Sequence, residues 1–194
     1  MDILWLRRLA GEKGIPVIRE DTEKLLKVLI ALKRPKKILE IGTGIGYSAA
    51  VMLSCGDPSS RIYSIEKDED KCLLARQNLG RLGLDGRAAL FPGDAGEILK
   101  SLTGSYDFIF VDGPKGQYLH FLPYLLDTLE NGGALVCDDV NYRGLVDGRV
   151  KMRRNSVTLV NNLREFIKRI ESHPGLESCV LDVGEGILVS VRKG

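Results

Sequence analysis

The amino-acid sequence predicts an α/β fold with a mostly parallel seven-stranded sheet, a C-terminal antiparallel hairpin and helices on both faces. Apolar runs of strand length alternate with longer amphipathic segments, which is the pattern of a parallel sheet covered by helices. Two final apolar runs, LESCVLDV and GILVSVRK, are separated by Gly184, Glu185 and Gly186 and predict the hairpin. With 194 residues the chain has the length of one ordinary domain, so we expect a single domain over residues 1–194.

The individual elements follow from the apolar pattern. A first helix, DTEKLLKVLIALKR, is predicted to be capped by Asp21 or Thr22 and to end before Pro35. The polar and basic residues 142–155 predict an exposed loop, and a helix is expected at 156–172. The five parallel strands are predicted at 37–41, 61–66, 87–91, 106–112 and 133–138, and the helices between them at 47–55, 68–82, 95–102 and 117–130.

Composition excludes several classes of protein. A hydrophobic fraction of 44% with 28% charged residues is typical of a globular protein and not of a disordered one. The formal net charge of +2 means that any contact with nucleic acid must depend on local basic clusters. The four cysteines are scattered without metal-ligand spacing, which indicates a reducing compartment. The chain shows neither a signal peptide nor a run of membrane-spanning length, so we predict a cytoplasmic protein without a membrane partner.

A glycine-rich turn lies between the first predicted strand and the following helix. Gly42, Gly44 and Gly46 in GTGIGY allow a tight turn and a close approach of a ligand to the backbone beside a helix N-terminus. The spacing is GxGxG, and Tyr47 stands where the GxGxxG fingerprint of dinucleotide-binding proteins has its third glycine. This difference disfavours a dinucleotide as the ligand. A structural turn without a ligand is the alternative.

Two acids follow the next predicted strands at the edge where parallel sheets bind ligands. Glu66 ends the second strand and is suited to accept hydrogen bonds from both ribose hydroxyls of an adenosine. Asp94, in FPGDA at the end of the third strand, lies where an adenine-facing loop is expected. Together with the glycine turn, they predict a site for a nucleoside-containing cofactor.

A second group of acids ends the fourth and fifth predicted strands. Asp112 closes YDFIFVD, and Asp138 and Asp139 close GALVCDD. Carboxylates at neighbouring strand ends suit Mg²⁺ or another divalent cation, which would hold an oxygen substrate and lower the pKa of its hydroxyl. Lys115 would serve as the base if a nearby cation and partial burial lower its pKa. The alternatives are a solvated lysine and an Asp pair that caps a turn.

The motifs that carry these residues resemble those of the cation-dependent O-methyltransferases, which include the catechol and caffeoyl-coenzyme A methyltransferases. The chain is most similar to the bacterial subgroup that methylates 5-hydroxyuridine at the tRNA wobble position. The resemblance implies a Rossmann-like class I methyltransferase fold, S-adenosylmethionine (SAM) and Mg²⁺ as cofactors, and O-methyl transfer as the activity. The motifs are LEIGTGIGYSA (39–49), SIEKD (64–68), GDA (93–95), FVDGPKGQY (110–118) and CDDVNYRG (137–144).

The resemblance also implies roles for individual residues. Catalysis would fall to Lys115 and Asp112, and metal ligation to Asp112, Asp138 and Asp139. The family usually has Asp-Asn where this chain has Asp138 and Asp139, and its members begin with a helical segment that precedes the first residue here. Cofactor contacts are predicted at Val17, Glu40, Gly42, Gly44, Ser48, Glu66, Asp94, Ala95 and Asp112.

The resemblance implies tRNA as the substrate, and the chemistry agrees with it, since the 5-hydroxyl and 4-carbonyl of 5-hydroxyuridine can chelate one cation as the two oxygens of a catechol do. A small catechol-like phenol is the alternative substrate. An NAD-dependent oxidoreductase and a non-catalytic RNA-binding protein are the alternative classes, and a homodimer is compatible with the sequence. Phosphate contacts would come from basic residues: Lys33, Arg34, Lys36, Lys37, Arg143, Arg149, Lys151, Arg153 and Arg154.

Overall fold

The computed structural model describes residues 3–151 and 156–194. The chain divides into two compact units, Met1–Ile98 and Leu99–Gly194. The first unit contains three parallel strands and the second a mixed group of four, and the two units are described in turn. Whether the whole chain acts as one domain stays a prediction.

The first unit contains three parallel strands in the order β3-β2-β1. The strands are staggered so that Leu39 lies beside Tyr63, and Tyr63 lies beside Ala89. Buried apolar side chains fill β1 on both faces, as expected for a strand covered by helices. The elements are α1 (Leu4–Glu12), α2 (Glu20–Lys33), β1 (Lys37–Ile41), α3 (Tyr47–Cys55), β2 (Arg61–Glu66), α4 (Glu69–Arg81) and β3 (Ala88–Pro92).

A short helix, α5 (Ala95–Ser101), begins in the first unit and ends in the second. The second unit then contains four strands in the order β4-β5-β7-β6. β4 and β5 are parallel, and β7 is antiparallel to both β5 and β6. The elements are β4 (Tyr106–Val111), α6 (Tyr118–Thr128), β5 (Leu129–Cys137), α7 (Val157–Glu171), β6 (Leu176–Leu181) and β7 (Ile187–Arg192).

The strands and the helices from α2 onward agree with the sequence pattern to within a few residues, including the terminal hairpin, whereas α1 is not predicted by it. The predicted cap of α2 is wrong: the helix begins at Glu20, its N-cap is Arg19, and no side chain caps it. Asp21 instead accepts a hydrogen bond from the adjacent backbone N–H of Thr22 inside the first turn. β5 begins at Leu129, four residues earlier than predicted, because Leu129 pairs with Tyr106 before a register shift.

The predicted loop after β5 is exposed only in part. Residues 147–150 are exposed, whereas Leu145 is buried. The guanidinium of Arg164 on α7 donates to the backbone oxygens of Val146 at 2.9 Å and Leu145 at 3.3 Å, and so fixes this segment against the helix. Arg153 and Arg154 lie outside the described residues.

Within residues 3–151 and 156–194, we find no helix with both the length and the apolar character needed to cross a membrane.

Candidate active site

The glycine turn adopts a backbone that only glycine takes readily. Gly42, Gly44 and Gly46 all have positive φ angles, of 90°, 52° and 86°. A Cβ atom at Gly46 would lie 3.4 Å from the backbone of Ala75 in α4, so this glycine also permits close packing of the turn on that helix. The N–H of Gly42 donates to the Ile65 carbonyl at 2.9 Å, which extends the β1–β2 pairing into the turn.

A fully buried carboxylate supports this turn from below. Glu40, in β1, accepts hydrogen bonds from the hydroxyls of Thr43 at 2.7 Å, Ser48 at 2.5 Å and Ser64 at 2.6 Å. Thr43 lies between Gly42 and Gly44, and Ser48 follows Gly46 by two residues, so Glu40 holds the turn at two points. Its complete burial does not support the predicted direct contact with a cofactor and makes Glu40 a positioning residue. Ser48 is also largely buried, with its hydroxyl donated to Glu40.

Glu66, predicted to face a ribose, lies half-buried beside the turn. One carboxylate oxygen accepts the N–H of Gly44 at 2.8 Å, and the other accepts the N–H of Asp68 at 3.0 Å. The segment that carries Val17 reaches the same place, because a Cβ atom at Gly44 would be 3.9 Å from the carbonyl oxygen of Pro16. The structure therefore brings Gly44, Glu66 and the Val17 segment together.

Asp94 is engaged at the start of α5. Its carboxylate accepts the N–H of Gly96 at 2.9 Å and lies 3.0 Å from the Nζ of Lys67. The ion pair with Lys67 and hydrogen bonds from the backbone N–H groups of Gly96 and Glu97 lower the pKa of Asp94. Ala95, the first residue of the helix, is buried. Contact of Asp94 and Ala95 with the cofactor stays a prediction.

Sequence reasoning missed a polar network at the start of α3. The Tyr47 hydroxyl donates to Glu23 at 2.7 Å and accepts from Arg7 at 3.1 Å, while the Arg7 guanidinium lies 4.7 Å from the Tyr47 ring centroid. Arg7 and Lys27 form ion pairs with Glu23 at 2.7 and 2.5 Å. The network connects α1 and α2 to the helix that follows the glycine turn. The sequence feature that could have indicated this network is Tyr47, a tyrosine directly after the glycine turn.

In the second unit, the predicted acids converge at the ends of β4 and β5. The parallel register sets Val111 beside Cys137, so Asp112 and Asp138 leave their strands at the same level. The backbone N–H of Asp138 donates to the Val111 carbonyl at 2.9 Å. We call Asp112, Lys115, Asp138 and Asp139 the acid cluster.

Lys115 connects two members of the acid cluster. Its Nζ lies 2.7 Å from an oxygen of Asp112 and 3.1 Å from an oxygen of Asp139. The lysine begins a short 3₁₀ helix, Lys115–Gln117, which folds it back over the end of β4. The predicted partnership of Lys115 with Asp112 is therefore present, and Asp139 belongs to the same contact.

Burial and like charges raise the pKa values of Asp112 and Asp138. The pKa of Asp138 is raised to about 7 by burial and by repulsion from Asp112 and Asp139. Burial also raises the pKa of Asp112, although Lys115 opposes the shift. Burial lowers the pKa of Lys115, but Asp112 and Asp139 outweigh it and the net shift is upward. The lowered lysine pKa expected beside a divalent cation is thus not a property of these side chains alone.

The donor chemistry of the acid cluster fits a divalent cation. When ionised, the three carboxylates carry two more negative charges than the single ammonium of Lys115 neutralises, and this repulsion adds to burial in raising the pKa of Asp138. As the side chains are placed, however, no three Cys, His, Asp or Glu residues of the described part of the chain are arranged around one common ion position. Asp138 uses one oxygen to accept the N–H of Asp139 at 2.8 Å. Metal ligation by Asp112, Asp138 and Asp139 remains a prediction.

Asp139 occupies a left-handed backbone conformation, with φ of 56°. Asp and Asn tolerate this conformation better than other residues with a side chain. An acid in place of the amide keeps that tolerance and adds the ion pair with Lys115. The structure thus gives Asp139 a physical role, since it pairs with Lys115 from a backbone conformation that Asp tolerates.

Several basic residues predicted to contact phosphates already pair with acids. Arg149 forms ion pairs with Asp147 and Asp182, and Lys36 lies 2.7 Å from Asp57. The positive charge available to a polyanion near these two side chains is reduced accordingly.

Curated proteins are similar in sequence over most of the chain. A catechol O-methyltransferase from Niastella koreensis is 28% identical over 179 residues, which cover 89% of this chain and 79% of that protein. A caffeoyl-CoA O-methyltransferase from Medicago sativa is 28% identical over 184 residues, covering 89% and 73%.

Solved structures are similar to the same extent. A protein from Staphylococcus aureus, assigned as a caffeoyl-CoA O-methyltransferase, superposes with a TM-score of 0.89 at 29% identity over 99% of this chain and 92% of its own. The O-methyltransferase TomG from Streptomyces achromogenes, solved with SAM, has a TM-score of 0.87 at 24% identity and covers 99% and 90%. These likenesses confirm the predicted class I methyltransferase fold.

The family model for O-methyltransferases matches residues 7–193. The chain therefore belongs to the O-methyltransferase family, which confirms the predicted enzyme class and disagrees with the NAD-dependent oxidoreductase alternative.

Proposed function

We propose that the protein transfers a methyl group from SAM to a hydroxyl of a substrate that carries two adjacent oxygens, with the help of Mg²⁺ or another divalent cation. The observation that carries this proposal is the acid cluster, three carboxylates and a lysine at two neighbouring strand ends. Lys115 in its neutral form takes the proton of the hydroxyl, the hydroxyl oxygen bonds to the methyl carbon, the carbon–sulfur bond breaks, and S-adenosylhomocysteine (SAH) leaves with the bonding electron pair.

The first unit supplies the proposed cofactor site. Gly42 and Gly44 offer a backbone that a ligand can approach closely, and Glu66 offers carboxylate oxygens suited to ribose hydroxyls. Glu40 fixes this surface through Thr43 and Ser48. TomG, which shares the fold, was solved with SAM, and this supports SAM as the ligand.

The second unit supplies the proposed acceptor site. Asp112, Asp138 and Asp139 would hold the cation, which when bound would lower the pKa of a coordinated hydroxyl and of Lys115. Lys115 is assigned as the base that takes the proton of the reacting hydroxyl, because Asp112 and Asp139 hold its nitrogen at a fixed point in the acid cluster. Fixing these groups in advance is where the protein contributes most to the rate.

A small diphenol is the acceptor that the relatives favour, since the two curated ones act, by their names, on catechol and caffeoyl-CoA. The wobble 5-hydroxyuridine of tRNA is the second candidate. It is favoured by the sequence from Asp112 to Tyr118, by GLV at 144–146, and by the basic residues around Lys151. Both acceptors present two adjacent oxygens, so the same acid cluster suits either.

The experiment combines labelled SAM with catechol, caffeate or tRNA that lacks the wobble methyl group, with Mg²⁺ or with excess chelator. We expect transfer to one acceptor class, lost on chelation and in Asp138→Asn, which keeps the side-chain oxygen that accepts the Asp139 N–H. The matched control is Asp182→Asn, an exposed acid of the same unit that pairs with Arg149. Transfer that survives both chelation and Asp138→Asn would refute the cation-dependent mechanism.

A further inference from the structure

The buried hydroxyl of Tyr118 joins the two strand ends that carry the acid cluster. Tyr118 is the first residue of α6 and is fully buried. Its hydroxyl oxygen lies 3.1 Å from the carbonyl oxygen of Val111 and 3.1 Å from that of Asp138. Val111 directly precedes Asp112, so one hydroxyl shares its proton between the last carbonyl of β4 and the first carbonyl after β5.

The same carbonyl of Val111 also accepts the backbone N–H of Asp138 at 2.9 Å. One direct backbone hydrogen bond and the bridging hydroxyl of Tyr118 thus join β4 and β5 at the level where Asp112 and Asp138 emerge. Beyond this level the parallel ladder has ended, because Val111 and Cys137 form its last pair. The tyrosine hydroxyl therefore continues the pairing of the two strands by a side chain.

Tyr118 is itself held in place from the opposite direction. Its ring packs edge-on against Phe166 of α7, with ring centroids 5.6 Å apart and an angle of 61° between the planes. Three residues before it, Lys115 opens the 3₁₀ helix that leads into α6, and Asn162 of α7 contacts the Gly116 carbonyl at 3.4 Å. A shift of Tyr118 would consequently move the lysine and the acids relative to one another.

We propose that Tyr118 is a positioning residue that sets the separation of Asp112, Asp138 and Lys115 for methyl transfer. This inference rests on the function proposed above. A cluster displaced by a fraction of an ångström loses much of the benefit of fixed geometry, whereas binding of the methyl donor by the glycine turn does not depend on the hydroxyl.

The test compares Tyr118→Phe with Tyr106→Phe. Tyr106 is a buried tyrosine that begins β4, at the end of that strand away from Asp112. The control therefore makes the same substitution far from the acid cluster. For Tyr118→Phe we expect kcat to fall about tenfold while the Kd for SAH changes less than twofold. For Tyr106→Phe we expect kcat within twofold of the unchanged protein. Equal kcat values for the two variants would overturn the inference.

Amide hydrogen exchange distinguishes failure of this inference from failure of the proposed function. If the unchanged protein methylates neither diphenol nor tRNA, the proposed function fails, and the exchange rate of the Asp138 N–H decides the role of Tyr118. Exchange at Asp138 that is at least fivefold faster in Tyr118→Phe, and unchanged in Tyr106→Phe, supports a hydroxyl that joins the strand ends. Unchanged exchange at Asp138 in Tyr118→Phe overturns it.

Discussion

The carboxylates of the two units have different surroundings, rich in hydrogen-bond donors in the first unit and rich in other acids in the second. In the first unit, the fully buried Glu40 accepts hydrogen bonds from three hydroxyls, and Glu66 accepts two backbone N–H groups. In the second unit, Asp112 and Asp138 lie close enough to repel one another, and burial and repulsion raise the pKa of Asp138 to about 7. The first arrangement is saturated with donors and suits a support, whereas the second keeps excess negative charge and suits chemistry on a bound cation or substrate.

The largest effect on methyl transfer should come from removing the ammonium group of Lys115, which pairs with acids of the second unit. In Lys115→Met, we expect the rate of methyl transfer to fall about 10²- to 10³-fold. The reacting hydroxyl loses its base, and Asp112 and Asp139 lose the ammonium group with which both pair. The measurement is kcat with labelled SAM and the best acceptor. The control is Lys193→Met, an exposed lysine of the same unit that pairs with Glu177. A Lys115→Met rate within threefold of the unchanged protein would remove Lys115 from the mechanism.

A change to the saturated carboxylate should act on stability. Glu40→Gln replaces an anionic acceptor of three hydroxyls by a neutral amide, and we expect the free energy of unfolding to fall by about 2–3 kcal/mol. Urea unfolding followed by circular dichroism measures it, and SAH affinity should fall with it. Glu69→Gln, an exposed acid in the first turn of α4, is the matched control. If Glu40→Gln is as stable as Glu69→Gln, the hydroxyl contacts do not hold the turn.

Two substitutions of Asp139 distinguish the contribution of its backbone conformation from that of its ion pair with Lys115. Asp139→Asn keeps the tolerance for positive φ and loses the ion pair, so we expect less than about 1 kcal/mol of destabilisation. Asp139→Ala loses both, and the left-handed backbone should add about 1–2 kcal/mol. Thermal and urea unfolding of the two variants give the difference directly. Equal stabilities would mean that the backbone at this position relaxes.

The smallest effect concerns the pH dependence of the first unit. Its three partners lower the pKa of Glu23 from 4.5 to about 2, against the raising effect of burial. A lowered carboxylate pKa stabilises the fold above pH 4.5, and this contribution is lost as the pH falls from there towards 2. Between pH 7 and pH 4 we expect Glu23 to account for less than about 1 kcal/mol of lost stability.

The check is to unfold Glu23→Gln at both pH values and compare its loss with that of the unchanged protein. Glu20→Gln, an exposed acid of the same helix, serves as control. A loss between pH 7 and pH 4 that is identical in all three proteins would assign the acid sensitivity to other groups.

Much of the fold was predictable because the local signals agree with one another. The strand from Lys37 to Ile41 and the helix from Tyr47 to Cys55 were predicted with their observed ends, since apolar runs and glycines mark them clearly. The α2 cap was not, because Asp21 and Thr22 are good caps in general and nothing local shows that the helix begins at Glu20. The helix α1 was not identified, since nine residues give only two turns of pattern.

The sequence by itself determined the alternation of strands and helices, the glycine turn, and the placement of Asp112, Asp138 and Asp139 at strand ends, because these depend on periodicity and on residue type. Only the tertiary structure decided that Glu40 is saturated by hydroxyls, that Lys115 links Asp112 to Asp139, and that Tyr118 ties the two strands together. These contacts join segments far apart in the chain or depend on how a turn folds back, and a carboxylate's role is set by the donors and charges that burial brings to it.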